Sequence, residues 1–483
     1  MKVLLLNPPR DNSISSEVPT SINAETNTIP PLGLMYLEAH LHKYGECETE
    51  IVDSLADNLH IQQLEKLLPD RRPDIVGITG HTYDLVDMLS VSKLIRRLLP
   101  QTKIWWGGPH VSDFPMQTLR YDCVDGCVPF EGEEPFTDVV RAHQASVRGG
   151  AIDPQDLAGN LKKISGIYFK DSEGQSVHTG ARPPVADLDR LPFPRRTATN
   201  YKKYSYVLGS EAIATSLLTS RGCPYSCSFC NTPGRTTWRW RSAESVVAEM
   251  EECDKLGIHE IYVVDDTFNV RRDRVMAICE QIKKRGLKMN WNIRARANCI
   301  TKETVKAMRQ AGCNRVHIGV EAGTDEGMKA LHKNLTTAKV KEAFDILQGE
   351  GMTTVCYFMI GCPHDKTVDD INQTVNFAIK LDPDYALFGI LTPYPNTAVY
   401  REGVAKGLLD PQHWENFLIN PTPEFKPQVW TEFFTAQQLS EMCDKAFKKF
   451  YIRPKQMFRK LLELKNFHDM ARKLKAGWEI FKL

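Results

Sequence analysis

The chain repeats one pattern along most of its length: a short apolar run followed by an amphipathic stretch with helical spacing. Near-continuous apolar strands that alternate with helices are typical of a parallel sheet covered by helices on both faces. Ligands on such doubly wound sheets bind at the carboxyl ends of the strands. The sequence therefore predicts an α/β domain over residues 1–145, with strands at KVLLLN (2–7), CETEIVD (47–53), DIVGITG (74–80), TKIWWGG (102–108) and DCVDGCVPF (122–130).

A second alternating series occupies residues 206–400. Its strand-like runs are IATSLLTS (213–220), HEIYVVDD (259–266), KMNWNIRA (288–295), NRVHIGVE (314–321), TTVCYFMIG (353–361) and DYALFGIL (384–391). These repeats predict a partial (β/α)6 barrel, whose functional groups lie at the carboxyl ends of the strands. Residues 146–205, rich in Gly and Pro, predict a linker with local structure, and residues 401–483 predict a small helical C-terminal region.

Composition limits the classes of function. The chain of 483 residues is 42% hydrophobic and 25% charged, which are ordinary values for folded domains. A formal net charge of +1 argues against nucleic acid as a partner. No apolar run approaches the ~20 residues that a membrane-spanning helix needs. The start, MKVLLLNPPRDN, turns polar at once and is interpreted as a strand and not a signal peptide. The expected location is cytoplasmic.

Three cysteines lie close together in SRGCPYSCSFCN (220–231), at Cys223, Cys227 and Cys230. A four-iron cluster takes four ligands, so three thiolates leave one iron open to an outside ligand. The alternatives are a zinc site completed by a distant residue, or three thiols of a core. Gly, Pro and Ser in the loop disfavour a core, and no His or Cys follows soon enough to complete a zinc site. The remaining cysteines, Cys123 and Cys127 included, are expected to be structural.

The C-x3-C-x2-C spacing, with Phe229 before the last cysteine and a barrel strand in front, resembles the signature of the radical S-adenosylmethionine superfamily. The resemblance implies a 4Fe–4S cluster on the three cysteines, which are then both metal ligands and catalytic residues. It implies that the open iron binds S-adenosylmethionine, whose cleavage gives a 5′-deoxyadenosyl radical. In MIGCPHDKT (359–367), His364 and Lys366 depart from the family's turn. The implied contacts to S-adenosylmethionine are Phe229, Asp266, Arg296, Glu321 and Gly361.

The first domain narrows the resemblance. A flavodoxin-like, Rossmann-type domain before such a barrel resembles the cobalamin-binding radical enzymes, which include the anaerobic magnesium-protoporphyrin monomethyl ester cyclase and the hopanoid and phosphinate methylases. The D-x-H-x-x-G motif, which supplies an axial histidine in other cobalamin proteins, is absent, and His81 and His110 stay open as cobalt ligands. The resemblance rests on IPPLGLMYLEAHL (29–41), WWGGPH (105–110) and FEGEEPF (130–136), and it implies cobalamin contacts at Thr79, Gly107, Gly108 and Glu131.

The resemblance implies a C-methyltransferase that acts on an unactivated carbon of a large apolar substrate such as a lipid, terpenoid or tetrapyrrole. The alternatives are a ring-forming or oxidative cyclase without methyl transfer, and a non-enzymatic cobalamin or redox sensor. An electron donor such as flavodoxin or ferredoxin is an expected partner. The stretch Lys445–Leu483 has twelve Lys or Arg against three acids. It predicts either a helix that lies on an anionic membrane surface or holds an anionic substrate, or a solvated, charged helix packed over the barrel.

Overall fold

The computed structural model describes residues 1–14, 28–206, 208–231 and 237–462. Its strands, in chain order, are β1 Lys2–Asn7, β2 Glu48–Asp53, β3 Ile75–Thr79, β4 Lys103–Gly107, β5 Gly126–Val128, β6 Val147–Arg148, β7 Ala151–Ile152, β8 Tyr168–Lys170, β9 Ser176–His178, β10 Ala214–Leu217, β11 Ser220–Arg221, β12 Arg239–Trp240, β13 Glu260–Val263, β14 Asn290–Ala295, β15 Cys313–Glu321, β16 Thr353–Ile360 and β17 Tyr385–Ile390.

The α-helices fall into three groups. Those of residues 1–161 are Leu32–Tyr44, Ser54–Asp57, Ile61–Arg71, Leu85–Leu98, Pro109–Asp113, Pro115–Thr118, Glu133–Ala145 and Pro154–Leu161. Those of the second series are Ala243–Lys255, Arg272–Lys284, Lys302–Gln310, Asp325–Ala330, Thr337–Gly349 and Val368–Leu381. The C-terminal region has Ala398–Ala405, Gln412–Ile419, Ala436–Tyr451 and Pro454–Leu462.

The first sheet has the order β2-β1-β3-β4-β5-β8-β9. Its first five strands are parallel and follow the flavodoxin-like order, so the predicted doubly wound fold is confirmed. The segment 146–205 is more than a linker, because β8 pairs antiparallel with β5 and β9 pairs with β8. These two strands cover the edge of β5, which would otherwise expose unpaired backbone groups. The first sheet thus extends past residue 145.

The second sheet has the order β10-β13-β14-β15-β16-β17, and each neighbouring pair is parallel. This confirms the predicted partial barrel. In β16, Cys356, Phe358 and Ile360 pack against the surrounding helices, while Tyr357 and Met359 alternate with them and remain partly exposed. Because successive side chains of a strand point to opposite faces, Tyr357 and Met359 face the lumen of the barrel.

The C-terminal region contacts both domains. Trp414, Phe417 and Leu418, on the helix Gln412–Ile419, join a buried cluster of the first domain. Farther along, Phe447 and Phe450 pack against Phe388 of β17, with ring centroids 5.4 and 6.3 Å away. The first part of the basic stretch therefore packs over the barrel, and residues 463–483 lie outside the described residues. Across the described ranges, no helix is both long and apolar enough to cross a bilayer.

Candidate functional site

The cysteine loop leaves the barrel just after β10. Its base is closed by the antiparallel pair β11 and β12, which brings residues 221 and 239 together. Gly222 has a φ of +80°, and a Cβ there would lie 2.8 Å from the carbonyl oxygen of Thr237, so only glycine fits before Cys223. The three cysteines are partly exposed and form no disulfide. Their thiols are therefore accessible, whereas Cys123 and Cys127 are buried.

Arg296, at the end of β14, lies beside the loop. Its Nη1 donates to the sulfur of Cys227 at 3.6 Å, and its guanidinium lies 3.9 Å from the ring centroid of Tyr225. The side chain of Asn269 fixes the arginine backbone, because it accepts from the N–H and donates to the carbonyl. The guanidinium is therefore fixed beside one of the three cysteines of the motif.

Glu321, at the end of β15, forms a buried ion pair with Lys333, whose Nζ lies 2.9 Å from Oε1. The same ammonium lies 5.8 Å from the ring centroid of Phe229, within the cysteine motif. Glu321 has a φ of +71°, a strained value for a residue with a Cβ. The sequence prediction missed Lys333, because it is twelve residues beyond Glu321 and belongs to no motif.

The two neighbouring aspartates after β13 differ. Asp265 is buried and accepts from the backbone N–H and hydroxyl of Thr219 and from the hydroxyl of Ser220. It therefore fixes the start of the cysteine loop. Asp266 is exposed and lines a cavity between the domains. Gly361, after β16, has a φ of +71° and packs against Leu439, away from this cavity.

A cavity of about 640 Å³ lies between the carboxyl ends of the two sheets. All four residues for which a cobalamin contact is implied line it: Thr79, Gly107, Gly108 and Glu131. The barrel contributes the opposite wall, with Leu218, Val264 and Asp266 among its residues. The predicted cobalamin residues thus share one cavity with Asp266, whereas Phe229, Arg296, Glu321 and Gly361 do not line it.

The glycines of this cavity make one wall open and flat. A Cβ on Gly33 would meet no atom within 4 Å, and one on Gly107 would meet only the carbonyl oxygen of Val128, at 3.4 Å. Gly108 has a φ of +88°, which side chains rarely adopt. Open space above glycine backbone lets a broad planar ring approach closely. The glycine-lined wall therefore has room for the corrin ring of cobalamin.

Neither histidine that was left open as a cobalt ligand lines the cavity. His110 is fully buried, its ring nitrogens lie 3.1 Å from the hydroxyl of Thr82 and 3.2 Å from that of Thr118, and burial lowers its pKa to about 3. His81 is exposed, with Nδ1 3.6 Å from a carboxylate oxygen of Asp84. His178 does line the cavity, in β9, and it was missed because that segment was interpreted as a linker.

Ionic contacts join the first domain to the base of the cysteine loop. The two carboxylate oxygens of Glu131 bind Arg239 at 2.6 and 3.1 Å. Glu133 binds Arg221, which also lies 3.5 Å from Glu131. We call these residues, Glu131, Glu133, Arg221 and Arg239, the interdomain clasp. Both oxygens of Glu131 are therefore engaged by protein, although a cobalamin contact was predicted for this residue.

A further contact lies at the other end of the cysteine motif. Asn231, directly after Cys230, donates from Nδ2 to Oδ2 of Asp113 at 2.8 Å. Asp113 ends the helix that follows the glycines of β4, so this bond connects the glycine-lined wall to the cysteine loop. The loop is thus held by the first domain at both of its ends and beside its last cysteine.

Comparison with known proteins agrees with this architecture. The model of the B12 binding domain matches residues 23–140, and that of the Radical SAM superfamily matches residues 217–378. An uncharacterized methyltransferase of Pyrococcus horikoshii is 32% identical over 473 residues, which cover 97% of this chain and 96% of the relative. The anaerobic magnesium-protoporphyrin IX monomethyl ester cyclase of Cereibacter sphaeroides is 27% identical, over 88% of this chain and 67% of the cyclase.

Among solved structures, the radical S-adenosylmethionine methyltransferase TsrM from Kitasatospora setae, with cobalamin and a [4Fe–4S] cluster bound, has a TM-score of 0.71. It is 17% identical, and the match covers 99% of this chain and 98% of TsrM, so it shows a shared fold. The cofactors of such a chain are a 4Fe–4S cluster, S-adenosylmethionine and cobalamin. The chain is therefore an enzyme, and the alternative of a non-enzymatic cobalamin or redox sensor is excluded. On the evidence of both domains and of the relative that matches its whole length, the protein belongs to the cobalamin-binding radical S-adenosylmethionine enzymes.

Proposed function

We propose that the protein is a C-methyltransferase that acts on an unactivated carbon of a large, largely apolar substrate. The observation that carries this proposal is the relative named as a methyltransferase, which aligns along almost the whole chain at 32% identity. The fold shared with TsrM supports it, because the match there also covers both domains.

In this proposal, Cys223, Cys227 and Cys230 hold the 4Fe–4S cluster, and Arg296 donates to the sulfur of Cys227. Phe229, Asp266, Glu321 and Gly361, together with Arg296, are proposed to position S-adenosylmethionine. Phe229 belongs to the cysteine loop, Arg296 contacts Cys227, and Lys333, the partner of Glu321, lies near Phe229, whereas Gly361 contacts Leu439.

Thr79, Gly107, Gly108 and Glu131 are proposed to form the cobalamin site, with the glycines as its floor and Glu131 as a residue that closes the cavity through Arg239. When bound, the cluster supplies an electron and cobalamin carries a methyl group. The clasp joins the wall proposed for cobalamin to the base of the cysteine loop, so it holds the two proposed sites next to each other.

The wall of the barrel lumen supports an apolar substrate. Tyr357 and Met359 of β16 and Leu387 of β17 are partly exposed at lumen-facing positions. Next to Leu387 on the same face, Gly389 has no atom within 4 Å of the position of a Cβ, so this side of the lumen has room for a bulky group.

A ring-forming or oxidative cyclase is the second candidate. It is favoured by the 27% identity to the magnesium-protoporphyrin cyclase over 88% of this chain. Both reactions use the same cofactors and the same cysteine motif, so the products must separate them.

The test is a product count. The reduced enzyme, loaded with both metal cofactors, is incubated with lipid and pigment extracts of the producing organism and S-adenosylmethionine that carries a trideuterated methyl group. A methyltransferase gives equal amounts of 5′-deoxyadenosine and S-adenosylhomocysteine and a product that has gained the labelled methyl group. Substrate-dependent 5′-deoxyadenosine without S-adenosylhomocysteine would instead establish the cyclase.

We further infer an electron donor of the flavodoxin or ferredoxin type and a peripheral membrane contact through the basic stretch Lys445–Leu483. Its charge, twelve basic residues against three acids, supports attraction to an anionic bilayer. Cosedimentation with phosphatidylglycerol vesicles at low salt, with phosphatidylcholine vesicles as the control, tests the contact.

A further inference from the structure

One cation of the barrel interior has no role in the site described so far. Arg294 lies in β14, in register with His317 of β15. Its neighbours Ile293 and Ala295 are buried among the helices outside the sheet, whereas Arg294 is exposed. Since side chains alternate along a strand, Arg294 points into the lumen, and its exposure means that the lumen around it is open.

The contacts of Arg294 leave most of its guanidinium available. Nε donates to the hydroxyl of Tyr262 at 2.9 Å, and the guanidinium carbon lies 5.4 Å from that ring. Tyr262 stacks on Tyr206, with centroids 5.1 Å apart, so the platform under the arginine is rigid. Within the described ranges, no carboxylate oxygen lies within 4.0 Å of Arg294, and its two Nη atoms donate to no protein group.

Other arginines inside this domain are used differently. Arg196 and Arg241 both bind the buried carboxylate of Glu249. Arg315 donates to the carbonyl oxygen of Leu208, and Arg274 donates to that of Thr219. Arg196, Arg241 and Arg274 thus fulfil structural roles with protein acceptors, whereas Nε and Nη1 of Arg315 are buried without a hydrogen-bond partner among the described residues. Arg294 is aimed at the lumen with two donors that such acceptors do not occupy.

Two cations reach this layer, Arg294 and Arg315, and Arg294 is the exposed one. His317 bridges Tyr206 and Tyr357, with ring nitrogens 3.3 and 2.9 Å from their hydroxyls. Burial lowers the pKa of His317 to about 3, so this histidine is neutral at physiological pH. This layer of the lumen therefore presents Arg294 as its exposed cation, beside tyrosine hydroxyls and rings.

We propose that Arg294 binds an anionic group of the substrate, a carboxylate or a phosphate ester, inside the barrel lumen. The inference rests on the proposed function, which places the substrate in the lumen, and it adds an anionic end to the apolar body. A guanidinium with two free Nη donors matches the paired oxygens of either anion. Tyr262 and Tyr357 complete the pocket with hydroxyl groups.

The position of Arg294 also sets the geometry of the substrate. Arg294 precedes Arg296 by two residues on the same face of β14, which separates their backbones by about 7 Å along the strand. Arg296 lies at the cysteine loop, and Arg294 lies deeper in the barrel. The anionic group therefore binds about one layer below the reacting carbon, and an apolar segment between them contacts Met359 and Leu387.

The test measures binding of probes by isothermal titration calorimetry to the full-length protein loaded with cluster and cobalamin. The probes are octanoate with octanamide as its neutral counterpart, and octyl phosphate with octanol as its neutral counterpart. We expect the unmodified protein to bind each anion at least tenfold more tightly than its neutral counterpart. Arg294→Gln should abolish this preference for both anions, and Arg294→Lys should retain part of it.

Arg272→Gln is the matched control, because it removes the same charge from a side chain that is 61% exposed on the outside of the barrel, and it should keep the full preference. Cluster absorbance and cobalamin content establish that each variant is folded. If only one anion shows the preference, the substrate carries that anion, and Arg294 retains its role.

Three results would overturn the proposal: no preference for either anion in the unmodified protein, a preference that survives in Arg294→Gln, or a loss confined to the affinity for S-adenosylmethionine. The last would mean that Arg294 binds the cofactor carboxylate. Failure of the proposed function is recognised separately, from the products of the reduced, unmodified enzyme: 5′-deoxyadenosine without S-adenosylhomocysteine, or neither product.

Discussion

At the residue scale, the chemistry of the site depends on a few side chains, and these differ in how far the sequence predicts their positions. The cysteine motif is contiguous, so its spacing was sufficient to predict it. Arg296, Asp266 and Glu321 follow strand ends, and a barrel brings strand ends together, so they too could be predicted as neighbours of the loop. Lys333 could not, because its contact with Glu321 depends on how the short turn after the helix Asp325–Ala330 folds back.

Replacing any one cysteine of the motif tests the cluster. Cys223→Ala, Cys227→Ala and Cys230→Ala should each reduce the iron content from about four atoms per chain to near zero, because two thiolates do not hold a four-iron cluster. Cys299→Ala is the matched control, since its sulfur lies 3.2 Å from the hydroxyl of Tyr225 beside the loop but belongs to no motif. Iron analysis and absorbance after anaerobic reconstitution measure the effect. An unchanged iron content in the single variants would refute the assignment.

Buried histidines predict how stability depends on pH. Burial lowers the pKa of His110 to about 3, from 6.5 for an unperturbed histidine. In the unfolded chain, His110 is protonated as the pH falls through about 6.5. In the folded chain, it stays neutral down to about pH 3. The contribution of His110 to the free energy of unfolding is therefore complete above pH 6.5 and decreases as the pH falls. It is smaller by about 1.4 kcal/mol at one pH unit below 6.5.

Urea unfolding at pH 7.5 and 5.5 checks this sign. His110→Gln should reduce the loss of unfolding free energy between these two pH values by about 1.4 kcal/mol, because the glutamine has no proton to gain. His60→Gln is the control, since that histidine is 49% exposed. The same pH dependence in His110→Gln and in the unmodified protein would show that His110 does not titrate as expected.

Cobalt coordination can be tested at His178, the histidine that lines the cavity. Its ring stacks on Tyr168, with centroids 4.1 Å apart and planes 9° apart, which holds it against the wall. We therefore expect paramagnetic resonance of the cobalt(II) form to show no nitrogen splitting from a protein imidazole, in His178→Gln and in the unmodified protein alike. A splitting that His178→Gln removes would identify this histidine as the axial ligand.

At the element scale, long periodic elements were predictable and short ones were not. The parallel strands of both sheets follow apolar runs, and their order is the one expected for each fold. In contrast, β8 and β9 have three residues each, too few for a periodic signal, and they exist because β5 needs a partner. The interdomain clasp could not be predicted either. Glu131 and Glu133 pair with arginines about a hundred residues away, and such pairs leave no local pattern in the sequence.

Opening the clasp should loosen the cysteine loop. Burial raises the pKa of Glu133, but the adjacent guanidinium of Arg221 more than offsets this, so its carboxylate is charged. Glu133→Gln leaves the buried Arg221 with only the more distant carboxylate of Glu131, 3.5 Å away, and complete loss of a counterion costs roughly 3–5 kcal/mol in comparable pairs. We expect faster loss of the cluster in air and a lower melting temperature. Glu134→Gln, which removes a pair with Arg182 away from the loop, should change the cluster lifetime little. Equal lifetimes in the two variants would contradict the clasp's role.

At the scale of the whole molecule, the two domains share one cavity and one set of contacts. The first domain also depends on residues beyond its own series, since β8, β9 and the helix Gln412–Ile419 complete it. Domain boundaries drawn from the alternating pattern alone therefore do not mark units that are complete in themselves. The pattern identifies strands and helices, but it does not reveal which distant segment covers an exposed edge or core.

A fragment of residues 1–145 should accordingly bind cobalamin far more weakly than the full chain. It lacks both β8 and β9 and the apolar side chains of Trp414, Phe417 and Leu418, and each lost large side chain removes roughly 1.5–3 kcal/mol of burial. Gel filtration with absorbance detection of bound cobalamin compares the two. Equal binding by the fragment would show that the later segments are dispensable.

The contribution of the helix Gln412–Ile419 to the first core has a consequence during protein synthesis. The residues that complete this core leave the ribosome more than 250 residues after the strands they cover, a delay on the order of tens of seconds. Throughout that interval the nascent amino-terminal half exposes an apolar surface, while the barrel is still being made. The half that is translated first is thus completed last, and chaperones that shield nascent chains have a defined patch to cover until residue 419 emerges.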